Sequence, residues 1–202
     1  MTEGWLTPRG AVAALAVGLS TLWGFGWRGF ALLLAFFISG SLLTPKKEGG
    51  GRRRNERQVL ANGGVAALAA LAGSWAGFAG ALATATADTW ASEIGRHSRS
   101  APRLITTAAR VPAGTDGGMT LLGTAGGVVG AAFIAGLAVL VGPRAGWLAG
   151  TIAGAGIAGM LLDSLLGATV QGKVSWFDND VVNLAATLAG AMIAAAASTF
   201  RA

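Results

Sequence analysis

The feature that most constrains this chain is the length of its uncharged stretches. Residues 58–87 include no charged side chain, and residues 119–171 include only Arg144 and Asp163. The hydrocarbon core of a bilayer is about 30 Å thick, and a helix needs about 20 apolar residues to cross it. The stretches are continuous rather than alternating, which argues against transmembrane β-strands. The sequence therefore predicts an all-α protein, a polytopic integral membrane helix bundle.

Composition supports a membrane protein and excludes several kinds of site. The chain is 53% hydrophobic and only 12% charged, whereas soluble domains average about 25% charged residues. Its 33 glycines would let helices pack closely in lipid. It has no cysteine and one histidine, His97, which excludes disulfides, thiolate metal sites and multi-histidine centres. The net charge of +6 fits basic residues beside spans better than a nucleic-acid partner.

About six transmembrane helices are predicted within a single membrane domain over residues 1–202. The protein is thus expected to be multi-pass, in the inner membrane if the cell is bacterial. The sequence leaves open the orientation in the membrane and the oligomeric state, and a homo-oligomer is one of the states that it allows. The predicted spans are 10–26, 29–44, 60–87, 119–141, 146–170 and 181–200.

Two carboxylates stand out because of where they lie along the predicted spans. Asp88 ends the third apolar run, and Asp163 lies eight residues before Gln171, which is about 12 Å inside span five. An ionisable residue at that depth indicates function by default, although a structural role in bonding a neighbouring helix is the alternative. Spans three and five run in the same direction, so both residues are expected at one face.

The start of span six adds polar groups to that face. Carboxylate and amide oxygens suit a hard cation such as Mg²⁺, which binds through one or two carboxylates and substrate phosphates. Asp178 can equally be a solvated loop charge. The predicted neighbourhood contains Asp88, Glu93, Asp163, Asp178, Asn179, Asp180 and Asn183.

The long connection before span four carries groups that suit an anion. Arg103 and Arg110 precede a glycine-rich turn at 111–118, and backbone N–H groups in such a turn can converge on phosphate. It is not a Walker A sequence, and alone it fits a plain connecting turn. Beside a Mg²⁺ site it favours phosphoryl transfer, in which the protein mainly positions substrates and neutralises charge. His97 could act as a base or be incidental.

Several motifs in order resemble one known family, that of transmembrane protein 19 and the plant phytyl-phosphate kinase of tocopherol synthesis. The resemblance covers most of the chain from about residue 50, and the first two spans match only in hydrophobicity. The motifs are RQVLANG at 57–63, TADTWASEIG at 86–95, PRLITT at 102–107, GTDGG at 114–118, DSLLGATVQ at 163–171 and NDVVN at 179–183.

The resemblance implies an enzyme that phosphorylates an isoprenoid monophosphate, of the phytyl or geranylgeranyl type, to its diphosphate. Its co-substrate would be a nucleoside triphosphate, ATP or CTP, with Mg²⁺. The implied catalytic residues and metal ligands are Asp88, Glu93 and Asp163, to which the neighbourhood adds Asp180 as a metal ligand. The implied substrate-binding residues are Arg57, Asn62, Arg103, Gly114, Thr115, Gly117, Gly118, Gln171, Asn179 and Asn183.

One part of this interpretation conflicts with simple alternation of six spans. Alternation puts Arg57 and Asn62 across the membrane from Asp88, although all three belong to the signature motifs. A break or re-entrant turn near residues 62–64 would remove the conflict.

Two other functions stay open. A cytidylyltransferase-like enzyme would use the same groups to form a nucleotide-linked lipid. A transporter or ion-coupled carrier would also suit an intramembrane Asp163 and a broken helix.

Overall fold

The protein is a bundle of helices in the computed structural model, which describes residues 5–44 and 53–200. The prediction of an all-α membrane bundle is confirmed. Two short strands, β1 (Arg103–Leu104) and β2 (Gly118–Met119), pair antiparallel between the third and fourth helices. The helices are α1 (Pro8–Leu43), α2 (Glu56–Leu71), α3 (Trp75–Gly95), α4 (Leu121–Val141), α5 (Gly146–Thr169) and α6 (Asn179–Thr199).

Helix α1 is two helices folded back on each other at Gly26. This glycine has φ 60° and ψ −151°, a conformation that is open to glycine and costly for other residues. The rings of Trp5 and Phe37 meet with centroids 5.7 Å apart. A straight helix between those residues would separate them by about 45 Å. The two halves of α1 therefore form an antiparallel hairpin, and they occupy the regions predicted as the first two spans.

The predicted span over 60–87 is wrong as one continuous helix. Helix α2 ends at Leu71, Gly73 adopts φ 70°, and Ser74 caps the start of α3 by accepting a hydrogen bond from the Gly77 N–H. The break lies at 72–74 rather than near 62–64, which are inside α2. Hydropathy does not detect this turn because its residues are small and uncharged. Helix α3 also continues to Gly95, well beyond Ala87.

This break overturns the alternation that separated Arg57 from Asp88. Helix α2 runs away from Arg57, and α3 returns antiparallel beside it to Asp88. Arg57 donates to Asp178 at 2.6 Å, so it lies at the same end of the bundle as the start of α6. We call this the site end. It contains the starts of α2, α4 and α6 and the ends of α3, α5 and the second half of α1.

Helix α3 is the centre of the bundle. All of residues 76–87 are buried, and α3 contacts every other helix. Its neighbours approach closely because small residues meet it: a Cβ added at Gly80 would lie 2.7 Å from the Gly190 carbonyl oxygen. Small residues are what close helix packing in lipid requires.

Four of the five helices around α3 have the length and hydropathy of membrane spans. Leucine, valine and tryptophan side chains on their outer faces are exposed, as expected for surfaces that contact lipid rather than water. Within the described residues, the helices that meet these criteria are α1, α4, α5 and α6.

Candidate functional site

The last turns of α3 deliver polar side chains to the site end. Helix α3 continues past Asp88, so Asp88 and Ser92 lie one helical turn apart on the same face of α3, and so do Thr89 and Glu93. The Ser92 hydroxyl donates to the Asp88 carbonyl at 2.9 Å, so the polar side chains do not interrupt the helix. This part of α3 forms one wall of a cavity of about 510 Å³.

Helix α5 forms the facing wall and brings Asp163 to Asp88. The two carboxyl groups are close enough to interact directly. Both line the cavity, and the buried Asp163 Oδ2 atom accepts no hydrogen bond from any donor among the described residues. A buried, unpaired carboxylate oxygen costs free energy unless another group satisfies it. A proton shared by the two carboxyl groups, or a cation bound between the two helices, would remove this cost.

Ten of the residues predicted for the site line this single cavity. They come from α3, the 111–118 turn, α5 and α6, which are distant in sequence. They are Asp88, Glu93, Gly114, Thr115, Gly117, Gly118, Asp163, Gln171, Asn179 and Asn183.

The glycine-rich turn packs directly on α5, one helical turn after Asp163. A Cβ added at Gly117 would lie 2.5 Å from both the Ser164 carbonyl oxygen and the Ala168 nitrogen, and Gly117 also has φ 71°. A Cβ added at Gly167 would lie 2.9 Å from the Gly117 nitrogen. Only glycine allows this approach, so the turn is held beside the carboxylate pair.

Glu93 is in the cavity wall but is already partnered. Thr44 Oγ1 donates to Glu93 Oε1 at 3.2 Å, and Arg96 donates to Oε2 at 2.7 Å. The side chain is only 10% exposed. These bonds tie the end of α1 to α3, so Glu93 orients its neighbours rather than offering free oxygens.

Arg57 and Asp180 lie at the rim, outside the cavity lining. Arg57 donates to Asp178 at 2.6 Å and approaches Asp180 at 3.5 Å. Asp178 also caps α6, and the hydrogen bond from the Val181 N–H, followed by Arg57, lowers the pKa of Asp178. The two ion pairs of Arg57 therefore join the start of α2 to the start of α6.

Two more predicted residues are outside the lining of this cavity. Arg103 is exposed and donates to the Ala108 carbonyl at 2.8 Å within its own loop, where Ala108 adopts φ 56°. Asn62 donates to the Gln58 carbonyl at 3.0 Å and faces an apolar cavity between α1 and α2.

Arg54 is the most important residue that sequence reasoning missed. It lines the cavity, and its guanidinium packs on Phe37 with 5.5 Å to the ring centroid. Burial lowers the pKa of Arg54, and the charge of Glu93 opposes that effect. Its only sequence signal is its position just before the Asn55 cap of α2. The polar lining residues that were also not predicted are Thr44, Gln58, Thr89, Ser92, Arg96, Asp116, Thr120 and Ser164.

The charges in the lining fit a divalent cation. Among the described residues, the cavity is lined by four carboxylates and two arginines, Arg54 and Arg96, so these side chains contribute more negative than positive charge. Among the described residues there is no group of three or more acidic or histidine side chains that could hold a metal. Asp88 and Asp163 would be the protein ligands, which suits Mg²⁺ because it usually keeps waters and substrate phosphates.

Comparison with known proteins places the chain among membrane proteins of several lineages. It is 39% identical to an uncharacterised membrane protein of Methanocaldococcus jannaschii over 93% of this chain and 84% of the relative. It is 29% identical to "Protein VTE6, chloroplastic" of Arabidopsis thaliana over 94% of this chain and 64% of that protein.

A second Arabidopsis relative, "Protein PGR", is 34% identical over 72% of this chain and 65% of that protein. No solved structure matches the chain. Residues 1–191 match the family described as "Integral membrane protein DUF92". This match confirms the resemblance carried by the motifs, and the chain belongs to the DUF92 family of integral membrane proteins.

Proposed function

We propose that the protein is a Mg²⁺-dependent phosphotransferase that converts an isoprenoid monophosphate to its diphosphate with a nucleoside triphosphate. The observation that supports this most directly is the pairing of Asp88 with Asp163 in a polar cavity, where no donor group of the described residues is bonded to Asp163 Oδ2. The family resemblance supports the same activity, since it includes the plant phytyl-phosphate kinase. The Arabidopsis relative VTE6 is aligned over nearly the whole of this chain.

The reaction needs no nucleophilic side chain. A phosphate oxygen of the lipid attacks the γ-phosphorus of the nucleotide, and the bond from that phosphorus to the β,γ-bridging oxygen breaks. The products are the lipid diphosphate and the nucleoside diphosphate. Catalysis by the protein then consists of alignment and charge stabilisation.

Each group of lining residues has a role in this scheme. Asp88 and Asp163 would hold Mg²⁺, which would neutralise phosphate charge and align the two substrates. In the 114–118 turn the Thr115 and Gly118 N–H groups donate to carbonyls of the same loop, so the remaining N–H groups would bind a phosphate. Arg54 and Arg96 would add cationic donors. Asn179 and Asn183, one turn apart on α6, orient substrate oxygens. The cavity is at one end of the bundle, where a lipid headgroup and a soluble nucleotide can meet.

The test is to incubate the purified protein with prenyl monophosphates, Mg²⁺ and either ATP or CTP, and to identify the products. The proposal predicts a prenyl diphosphate and a nucleoside diphosphate in equal amounts. Release of pyrophosphate with a nucleotide-linked lipid would replace it with a cytidylyltransferase activity. Solute uptake into proteoliposomes without nucleotide turnover would replace it with a carrier.

A further inference from the structure

A second cavity of about 320 Å³ lies between the two halves of α1 and α2, and its lining differs sharply from that of the polar cavity. Most of its lining is aliphatic or aromatic. The polar side chains of the lining are Arg54, Gln58, Asn62 and Thr89. We call this cavity the α1–α2 groove.

The groove is continuous with the polar cavity. Arg54, Gln58 and Thr89 line both, so one end of the groove opens at the carboxylate-containing site. Arg54 stands at this junction, with its guanidinium packed on Phe36 and Phe37 at 6.0 and 5.5 Å from the ring centroids. The positively charged guanidinium of Arg54 thus lies at the junction between the apolar groove and the polar cavity.

The other end of the groove lies towards the turn at Gly26, among Leu19, Leu22 and Phe30. Phe30 reaches across the hairpin, because a Cβ added at Gly18 would lie 3.4 Å from its Cε2 atom. From Gly40, whose added Cβ would be 3.0 Å from the Arg54 guanidinium, to Phe30 is ten residues of helix, or about 15 Å. The groove is thus apolar over about 15 Å and has Phe30 at its far end, while Leu15 and Leu19 on its outer side are exposed.

We propose that the α1–α2 groove binds the hydrocarbon tail of the isoprenoid phosphate, with the phosphate at Arg54 and the tail end at Phe30. The proposal rests on the function proposed above for the identity of the headgroup. A slot that is apolar along its length and cationic at one end is complementary to an amphiphile with a single anionic end. Because Phe30 lies at the far end of the groove, its ring would determine the chain length that fits.

Photo-crosslinking tests this placement without any turnover. The probe is geranylgeranyl monophosphate with a diazirine at the tail end, added to the purified protein without nucleotide. The expected result is labelling of Leu22 and Phe30, which are partly buried, suppressed by excess unlabelled geranylgeranyl phosphate. Labelling confined to outward-facing side chains would overturn the proposal, and so would equal suppression by a diacyl phospholipid, which would make the groove a bulk-lipid site.

Two substitutions test the depth of the slot. Ala14→Leu adds bulk midway along the groove, so it should weaken labelling by the geranylgeranyl probe at least tenfold relative to a geranyl probe, because each misfitted group costs about 10–200-fold. Phe30→Ala should shift preference towards chains longer than geranylgeranyl. Ala11→Leu is the matched control, since Ala11 is exposed one turn earlier on the same helix and is outside the lining.

Unchanged chain-length preference in both groove variants, in protein with a normal thermal unfolding midpoint, would overturn the proposal. The two proposals fail separately. Labelling in the groove without diphosphate formation would reject the kinase activity and keep the tail site. Diphosphate formation with labelling outside the groove would reject the tail site and keep the kinase activity.

Discussion

At the scale of single residues, the proposed activity depends on two carboxylates that lie in the same buried region. Asp88 and Asp163 come from different helices and interact directly, and one oxygen of Asp163 is bonded to no donor in the part of the chain that the structure describes. Two such groups repel each other at close range in a poorly solvated site. A bound cation would convert that repulsion into binding energy, so each carboxylate should matter far more for activity than for folding.

We predict that Asp88→Asn and Asp163→Asn each lower kcat/KM for diphosphate formation by at least about 100-fold. Loss of groups that only support metal ligands already costs about 10–100-fold, and loss of a ligand should cost more. Glu56→Gln is the matched control, because Glu56 also lies at the site end, pairs with Arg9 at 3.8 Å and is outside the described lining of the polar cavity. Activity of Asp163→Asn close to that of the control would contradict the assignment.

A second residue-scale prediction separates two arginines that are close in sequence. Arg54 lines the cavity, whereas Arg57 is 60% exposed and pairs with Asp178 at the rim. Arg54→Gln should raise KM for the prenyl phosphate about tenfold or more, since hydrogen bonds to charged groups contribute about 1.5–3 kcal/mol. Arg57→Gln should change KM little. Steady-state kinetics on both variants would decide, and a larger effect at Arg57 would reverse the assignment.

At the scale of elements, the glycine-rich turn and α5 form one unit. Gly117 and Gly167 face each other, and the turn sits one helical turn from Asp163. The backbone of Gly117 therefore fixes the distance between the proposed phosphate cradle and the carboxylates. Hydrogen bonds also hold the turn, since the Gly118 N–H donates to the Thr115 carbonyl at 3.0 Å and the Ile105 N–H donates to the Gly117 carbonyl at 3.1 Å.

We predict that Gly117→Ala lowers both the thermal unfolding midpoint in detergent and the activity, whereas Gly114→Ala has a smaller effect on both. Both glycines have positive φ, at 71° and 87°, so each variant bears a strain of about 1–2 kcal/mol. Only at Gly117 does the added Cβ also meet α5, since nothing lies within 4 Å of the position at Gly114. Equal losses would show that backbone strain alone accounts for the effect.

How far sequence predicts these elements depends on the signal each one leaves. The meeting of Asp88 and Asp163 follows from helix direction and depth, which hydropathy does reveal. The turn at Gly73 leaves no hydropathy signal, so the sequence predicts α2 and α3 as one span. That prediction places Arg57 on the opposite side of the membrane from Asp88, which is wrong. The sequence does not single out Arg54, because a run of arginines beside a span is typical of the excess of basic residues in cytoplasmic loops. Which of these arginines is buried depends on the tertiary structure.

At the scale of the whole molecule, charge is distributed very unevenly between the two ends. Among the described residues, two basic residues, Arg28 and Arg144, lie at the end opposite the site. Basic residues concentrate on the cytoplasmic side of membrane proteins. At the site end there are nine: Arg9, Arg53, Arg54, Arg57, Arg96, Arg99, Arg103, Arg110 and Lys173.

We therefore predict that the site end faces the cytoplasm, where nucleotide is available. The chain has no cysteine, so single substitutions report position cleanly. In intact cells a membrane-impermeant maleimide should label Pro143→Cys at the opposite end, and should label Thr107→Cys at the site end only after lysis. The reverse pattern would contradict the orientation and remove cytoplasmic nucleotide as the co-substrate.

The most direct test of the central claim is a measurement of cation binding that does not depend on turnover. Electron paramagnetic resonance of Mn²⁺, a substitute for Mg²⁺, would be recorded with the purified protein and a prenyl monophosphate, for the wild-type chain and for Asp163→Asn. The account predicts stoichiometric binding to the wild type and at least about a tenfold weaker affinity in the variant. Equal affinity in both would show that the paired carboxylates do not hold the cation.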